Sequence, residues 1–257
     1  TVYLNRADYI KALDHYLKSI KIAEELQDLQ GLANSSTNLA VVYYYEVNYD
    51  KALEYNFKAL AILEKLGNKK GAANCYNNIG SIYMDKRDFM KALEFQNKAL
   101  KIREELGDKY NMIRSYSNLG VISRNLNNYP LAIEYLGKAH ALCKQTGDEQ
   151  NAGAVNLSLG NVYKELRQYS KAEAHYLTAL KIARSVGDRY REKDCYQELA
   201  FVYAQTNHHK TAYEHLLLSK TLNDSIFNTE NSQQLSDLKT KFEVEKKETE
   251  LKAKAEV

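Results

Sequence analysis

Apolar and polar residues alternate along this chain with two periods at once. Within segments of about 17 residues the apolar side chains return every three or four positions, the spacing of one face of an α-helix. The segments themselves return every 40 residues: Ala12, Ala52, Ala92, Ala132, Ala172 and Ala212 keep that step, and so do Leu39, Ile79, Leu119, Leu159 and Leu199. Ala40, Gly80, Gly120, Gly160 and Ala200 follow directly after the second series. A step held without slippage over six units marks a tandem helical repeat, each unit one helix pair that buries its face on its neighbours.

The pattern predicts first helices at about 30–46, 69–86, 109–126, 149–166 and 189–206, and second helices at about 50–66, 89–106, 130–146, 170–186 and 209–223. Gly67-Asn68, Gly107-Asp108, Gly147-Asp148 and Gly187-Asp188 place a left-handed residue past one helix and an N-cap before the next. Asn125-Leu126-Asn127-Asn128 is the polar joint inside one pair, and Pro130 falls in a first turn, where its missing N–H costs nothing. Gly80, Gly120 and Gly160 are expected to face Ala92, Ala132 and Ala172, letting the paired backbones approach. A partial repeat over 1–26 opens the chain, with a turn at residues 5–8 and an apolar stripe of Tyr9, Ala12, Leu13, Tyr16, Ile20 and Ile22. Thr1-Val2-Tyr3-Leu4 match the end of a preceding repeat helix, so the chain reads as beginning inside a longer array.

Composition narrows the function classes. A net charge of +3, spread evenly, does not make a nucleic-acid surface. No run approaches the roughly 18 apolar residues of a membrane span. Cys75, Cys143 and Cys195 are odd in number and widely spaced, neither a disulfide framework nor a zinc motif, and read as small packing residues. After Leu222 the register breaks: 223–228 reads as a linker or last turn, and a final helix from about Thr229 carries Leu235, Leu238 and Phe242. Beyond Val244 the sequence is nearly all Glu, Lys and Ala, so this helix is expected to dock by its first half and project into solvent, or pair with a second copy, by its second.

Tyr76-x2-Ile79-Gly80-x2-Tyr83, followed by Phe89 and Ala92, resembles the tetratricopeptide repeat, and Tyr116, Leu119, Gly120, Tyr129 and Ala132 repeat the motif. Ser123 and Asn156 depart from its aromatic places. Its helix-ending proline is replaced by Glu64, Glu104, Lys144 and Arg184, so the second helix runs on and the period exceeds the usual 34. The resemblance covers residues 1–222 and implies an all-α, right-handed α-α superhelix, closed by a capping or coiled-coil helix over 223–257. The tail, from Asp224-Ser225-Ile226-Phe227-Asn228 to Glu243-Val244-Glu245-Lys246-Lys247-Glu248, is similar to the segment joining such arrays to the membrane anchor of bacterial signalling proteins with histidine kinase or DNA-binding outputs. That likeness favours the periplasm, while three unpaired cysteines suit the cytoplasm at least as well.

Catalytic patterns are absent from the sequence: it has no His-Glu-x-x-His, no P-loop and no Gly-x-Ser-x-Gly. His208, His209 and His215 lie close in sequence, but His209 takes the aromatic place of Tyr169, so they read as packing and turn residues rather than metal ligands. No enzyme, cofactor or metal is expected in this stretch, and a kinase output, if the parent protein has one, lies outside it.

In the family the first helices line a concave wall, which here implies a groove built from Asn38, Asn78 and Asn118, with Asn34, Asn74 and Arg114 one turn earlier. Val41, Ser81, Val121 and Asn161 come next, then Tyr44 and Arg124, with Tyr45 beside Tyr44. An asparagine amide both donates and accepts, so a ladder of them can hold an extended peptide whatever its sequence. Arg114 and Arg124 would make the centre basic, suited to a ligand carboxylate, while Glu165, Asp194 and Glu198 make the far end acidic. The family's two-carboxylate clamp is not expected, since Asn34, Thr37 and Asn74 stand where its cations belong. These features point to a non-enzymatic protein or peptide scaffold, the sensor or interaction module of a bacterial signal-transduction protein. A structural spacer and a peptide-pheromone regulator are the alternatives, and dimerisation through the last helix accompanies any of them.

Overall fold

The computed structural model describes residues 6–255 as eleven α-helices, with no strand among them. They are α1 (Arg6–Glu25), α2 (Leu29–Tyr45), α3 (Tyr49–Lys65), α4 (Lys69–Asp85), α5 (Phe89–Glu105), α6 (Lys109–Asn125), α7 (Tyr129–Thr146), α8 (Glu149–Glu165), α9 (Tyr169–Ser185), α10 (Arg189–Gln205) and α11 (His209–Ala255). Two compact units are distinguished, 1–182 and 183–257. The first holds α1 to α8 and most of α9; the second holds the end of α9, α10 and α11.

The connections explain why the helices stop where they do. Asp28, Asn48, Asn68, Asp88, Asp108, Asn128 and Asp148 each accept the backbone N–H three residues on, as Asp188 does in the second unit. Each such cap stabilises its helix by about 1 kcal/mol. Between pairs the residue before the cap is left-handed, a glycine such as Gly107 at φ 64° everywhere except before Asp28, where Gln27 takes the place at φ 55°. Within pairs the same place is left-handed but not glycine: Val47, Arg87, Asn127 and Arg167 lie at φ 57–61°.

Inside the first unit each helix from α1 to α8 packs on its neighbours in sequence, α4 with α6 and α6 with α8 also touch, and α9 is bonded to α8 through His175 and Tyr176. The residues that carry the 40-residue step are its core. Leu39, Ile79 and Leu119 are fully buried, as are Ala52, Ala92, Ala132 and Ala172. The side chains nearest the glycines belong to residues beyond the expected alanines. A side chain at Gly80, Gly120 or Gly160 would strike Gln96, Leu136 or Tyr176, four residues beyond the alanine, with only the Ala132 carbonyl near Gly120. The glycine thus makes room for a large side chain, whereas the alanine lies beside it.

Two further expectations change. Residues 6–8 are helical rather than a turn, and Ile22 is 55% exposed while Ala23 takes the buried place. In the second unit α11 continues through 223–228 without a break, so the supposed linker is helix. Ile226 is buried within it, holding the backbone in register through the polar run. The side chains of Leu235, Leu238 and Phe242, and the repeat-end match at 1–4, lie outside the described residues.

Candidate functional site

Three first helices and one second helix enclose a cavity of about 320 Å³ in the first unit. Ala40, Val41, Tyr44 and Tyr45 come from α2, Asn56 from α3, Asn77, Asn78, Ser81 and Ile82 from α4, and Arg114 and Asn118 from α6. Volume and lining fit the range of small recognition pockets, apolar walls with a few converging polar groups. Of the groove candidates, Val41, Tyr44, Tyr45, Asn78, Ser81, Arg114 and Asn118 are brought together here.

The others lie elsewhere. Asn34 and Asn38 are exposed on α2 outside the cavity, and Asn34 accepts from Gln30 at 3.0 Å. Asn74 accepts from Arg103 at 3.4 Å. Asn161 accepts from the Tyr176 hydroxyl at 2.8 Å, which occupies its oxygen. Val121 is half-buried on α6. Arg124 lies 3.8 Å from Glu165, so the expected basic and acidic regions offset each other there. Arg114 is exposed and has no partner among the described residues, and it is the cation that stays available at the cavity.

Tyr44 donates to Asp85 at 2.5 Å and meets the Tyr45 ring edge-on at 5.6 Å. Burial, then the Asp85 carboxylate, raises the Tyr44 phenol well above its usual range, so it stays protonated and held to α4. The pair forms an aromatic wall of the cavity that Arg114 also lines.

Beneath the wall lie residues that the ladder argument missed. Asn56 and Asn77 are 1% and 4% exposed. Aligned repeats give Asn56 a signal, since it shares its place with Gln96, Leu136 and Tyr176, but give Asn77 none, since Thr37, Ser117 and Gln197 share its place with Leu157. A buried amide replacing a packing residue needs partners, and here they are groove residues. Asn78 donates to Asn56 at 3.4 Å, and Asn118 donates to Asn77 at 3.5 Å.

No reactive nucleophile accompanies the cavity. Cys75, Cys143 and Cys195 are buried and unpaired, and burial lifts their thiols to about 11, 11 and 12. In the second unit His215 Nδ1 donates to the Thr211 carbonyl of its own helix at 2.9 Å, and the ring lies 5.0 Å from that of Tyr203; His208 pairs with Thr206 at 3.1 Å. Among the described residues no cluster of three His, Cys, Asp or Glu side chains could hold a metal ion, and no helix is long and apolar enough to cross a membrane.

Comparison with known proteins agrees with this architecture. Among solved structures, BtubC (BKLC) from P. vanneervenii superposes with a TM-score of 0.75 at 20% identity, over 85% of this chain and 92% of that one. A signal transduction ATPase with numerous domains, carrying a tetratricopeptide repeat sensor, from Pyrococcus horikoshii gives 0.68 at 22% identity, over 83% of this chain and 32% of the larger protein. A Rap protein complexed with Competence and Sporulation Factor gives 0.62 at 21%, over 87% and 72%. Curated sequences return no match. The tetratricopeptide repeat family matches residues 1–65, 71–145 and 151–219. With helix pairs, buried step residues and family match in agreement, the chain belongs to the tetratricopeptide repeat family, a family of protein-interaction scaffolds.

Proposed function

We propose that this chain is a non-enzymatic peptide-binding module whose α2–α4–α6 cavity holds an extended segment of a partner, as the sensor or interaction part of a bacterial signal-transduction protein. The observation that carries the reading is convergence: Asn78, Ser81, Asn118 and Arg114, singled out by the positions that line the groove in the family, line one cavity together with two tyrosines. Amides suit a peptide backbone, the aromatic wall suits a side chain, and Arg114 suits a carboxylate. The Rap protein solved with Competence and Sporulation Factor and the repeat sensor of the Pyrococcus horikoshii ATPase support the signalling half at the level of fold.

A randomised pool of acetylated, amidated hexapeptides tests it. The pool binds the wild type, and Asn78→Ala with Asn118→Ala weakens binding at least about tenfold, the effect of losing two hydrogen bonds. Arg114→Ala removes any preference for Asp and Glu in the bound fraction. Undiminished binding by the double variant rejects the ladder, and failure of the pool to bind wild type favours a structural spacer.

The same reading makes α11 the element through which two copies pair. The pairing segment is the stretch after Asn228, with Leu235, Leu238 and Phe242 at spacings of three and four.

A further inference from the structure

Arg103 is 1% exposed, and among the described residues it has no carboxylate in ion-pair contact. Its Nη1 donates to Asn77 Oδ1 at 3.2 Å, to the Asn111 carbonyl at 3.1 Å and to Ser115 Oγ at 2.7 Å. Nη2 donates to Asn74 Oδ1 at 3.4 Å, and Nε has no partner. Burial, and then the like charge of Arg114, draws the guanidinium down to about 10, against the pull of Asp108, and it remains a cation at neutral pH. A buried charge without a counter-ion opposes folding, and the repeat does not require one: Leu63 and Cys143 fill the same place in the neighbouring units.

What a guanidinium does that Leu63 cannot is impose polarity. It only donates, so the amides of Asn74 and Asn77 must turn their oxygens toward it. Asn77 Oδ1 then also receives the Nδ2 of Asn118, which leaves the Asn118 oxygen for the cavity. A second, separate relay ends the same way. The Ala52 carbonyl only accepts, so Asn56 donates to it at 2.8 Å and offers its oxygen to the Nδ2 of Asn78. Asn78 is thereby also left with its oxygen outward. Two amides that in isolation could turn either way are each oriented, by a buried group of single polarity, with the oxygen outward and one Nδ2–H engaged inward. Beside them Arg114 only donates.

We propose that Arg103 is a positioning residue that sets the polarity of the Asn118 rung, so that the cavity selects a peptide segment offering backbone N–H groups to Asn78 and Asn118 and an acidic group to Arg114. The selection rests on the peptide-binding reading above; the role of Arg103 does not, because the relay exists in the unliganded chain.

The test therefore has two arms. Side-chain amide exchange, followed by NMR in the free protein, should show Asn78 and Asn118 slower than the exposed Asn38. Arg103→Leu, which installs the residue of the neighbouring repeat, should bring Asn118 to the Asn38 rate and leave Asn78 unchanged. Arg103→Lys, whose ammonium also only donates, should restore slow exchange at Asn118. If the leucine variant does not fold, Arg103→Met carries the same expectation. In the second arm the hexapeptide pool is compared with the same pool N-methylated along its backbone. Wild type should prefer the unmethylated pool by about tenfold, the leucine variant by less than about threefold, and the lysine variant as wild type does. Equal Asn118 exchange in wild type and leucine variant, or a lysine variant that behaves like leucine, overturns the role of Arg103. Failure of both pools to bind wild type overturns the selection and the peptide reading while the first arm still decides the relay.

Discussion

The imidazole of His175 is half-buried, stacked on Tyr163 at 5.4 Å and bonded through Nδ1 to Asn156 Oδ1 at 3.0 Å. Asn156 in turn donates to the Ala152 carbonyl at 2.8 Å and reaches His140 Nδ1 at 3.5 Å, so its oxygen faces His175, whose Nδ1 must be the donor. Desolvation, then the neighbouring His140, holds the His175 pKa below 6.5. A histidine depressed on folding binds its proton more readily unfolded, so its contribution is intact above pH 6.5 and is lost as pH falls through the lower folded value. Chemical denaturation at pH 7.5 and at pH 5 should therefore show wild type losing more stability on acidification than His175→Gln; equal losses would place the acid sensitivity elsewhere. The signal for this cluster was legible as Asn156 standing where Tyr76 and Tyr116 carry the motif aromatic. Which amide atom meets which histidine was not, because that depends on a backbone carbonyl brought into reach by folding.

At the scale of elements, the boundaries of α2 to α10 follow the predicted ones to within a residue or so, since caps and glycines are local chemistry. The turns inside each pair were less readable. Val47 is β-branched, 65% exposed and left-handed at φ 61°, a conformation that glycine tolerates and valine resists. Val47→Gly should raise stability by about 1 kcal/mol, the relief of strain less the added entropy of the unfolded chain. Thermal unfolding measures it, and a lower melting temperature would show that the Val47 side chain stabilises the turn more than its strain costs. The end of the array was misjudged for a related reason. Asn223, Asp224 and Asn228 resemble a stop signal, yet Ile226 finds a buried place and the helix passes through them. Packing outweighs the weak propensities of a few polar residues.

For the whole molecule, pairing through α11 makes a direct prediction. Full-length chain should sediment as a dimer, and a variant ending at Asn228 as a monomer; a truncated chain that remains dimeric would move the interface to the helix pairs. The 40-residue step, the all-α class and the cap positions were determined by the sequence alone, because each depends on residues near one another in the chain. Leu39 and Ala52 are buried wherever their repeat is stacked, so their place needs no knowledge of distant partners. Only the tertiary structure decided that Arg124 is neutralised by Glu165 while Arg114 is not, that Asn161 serves Tyr176, and that Asn56 and Asn77 lie under the cavity. Those outcomes are set by hydrogen-bond partners on other helices, and a donor meets its acceptor only once the helices have packed.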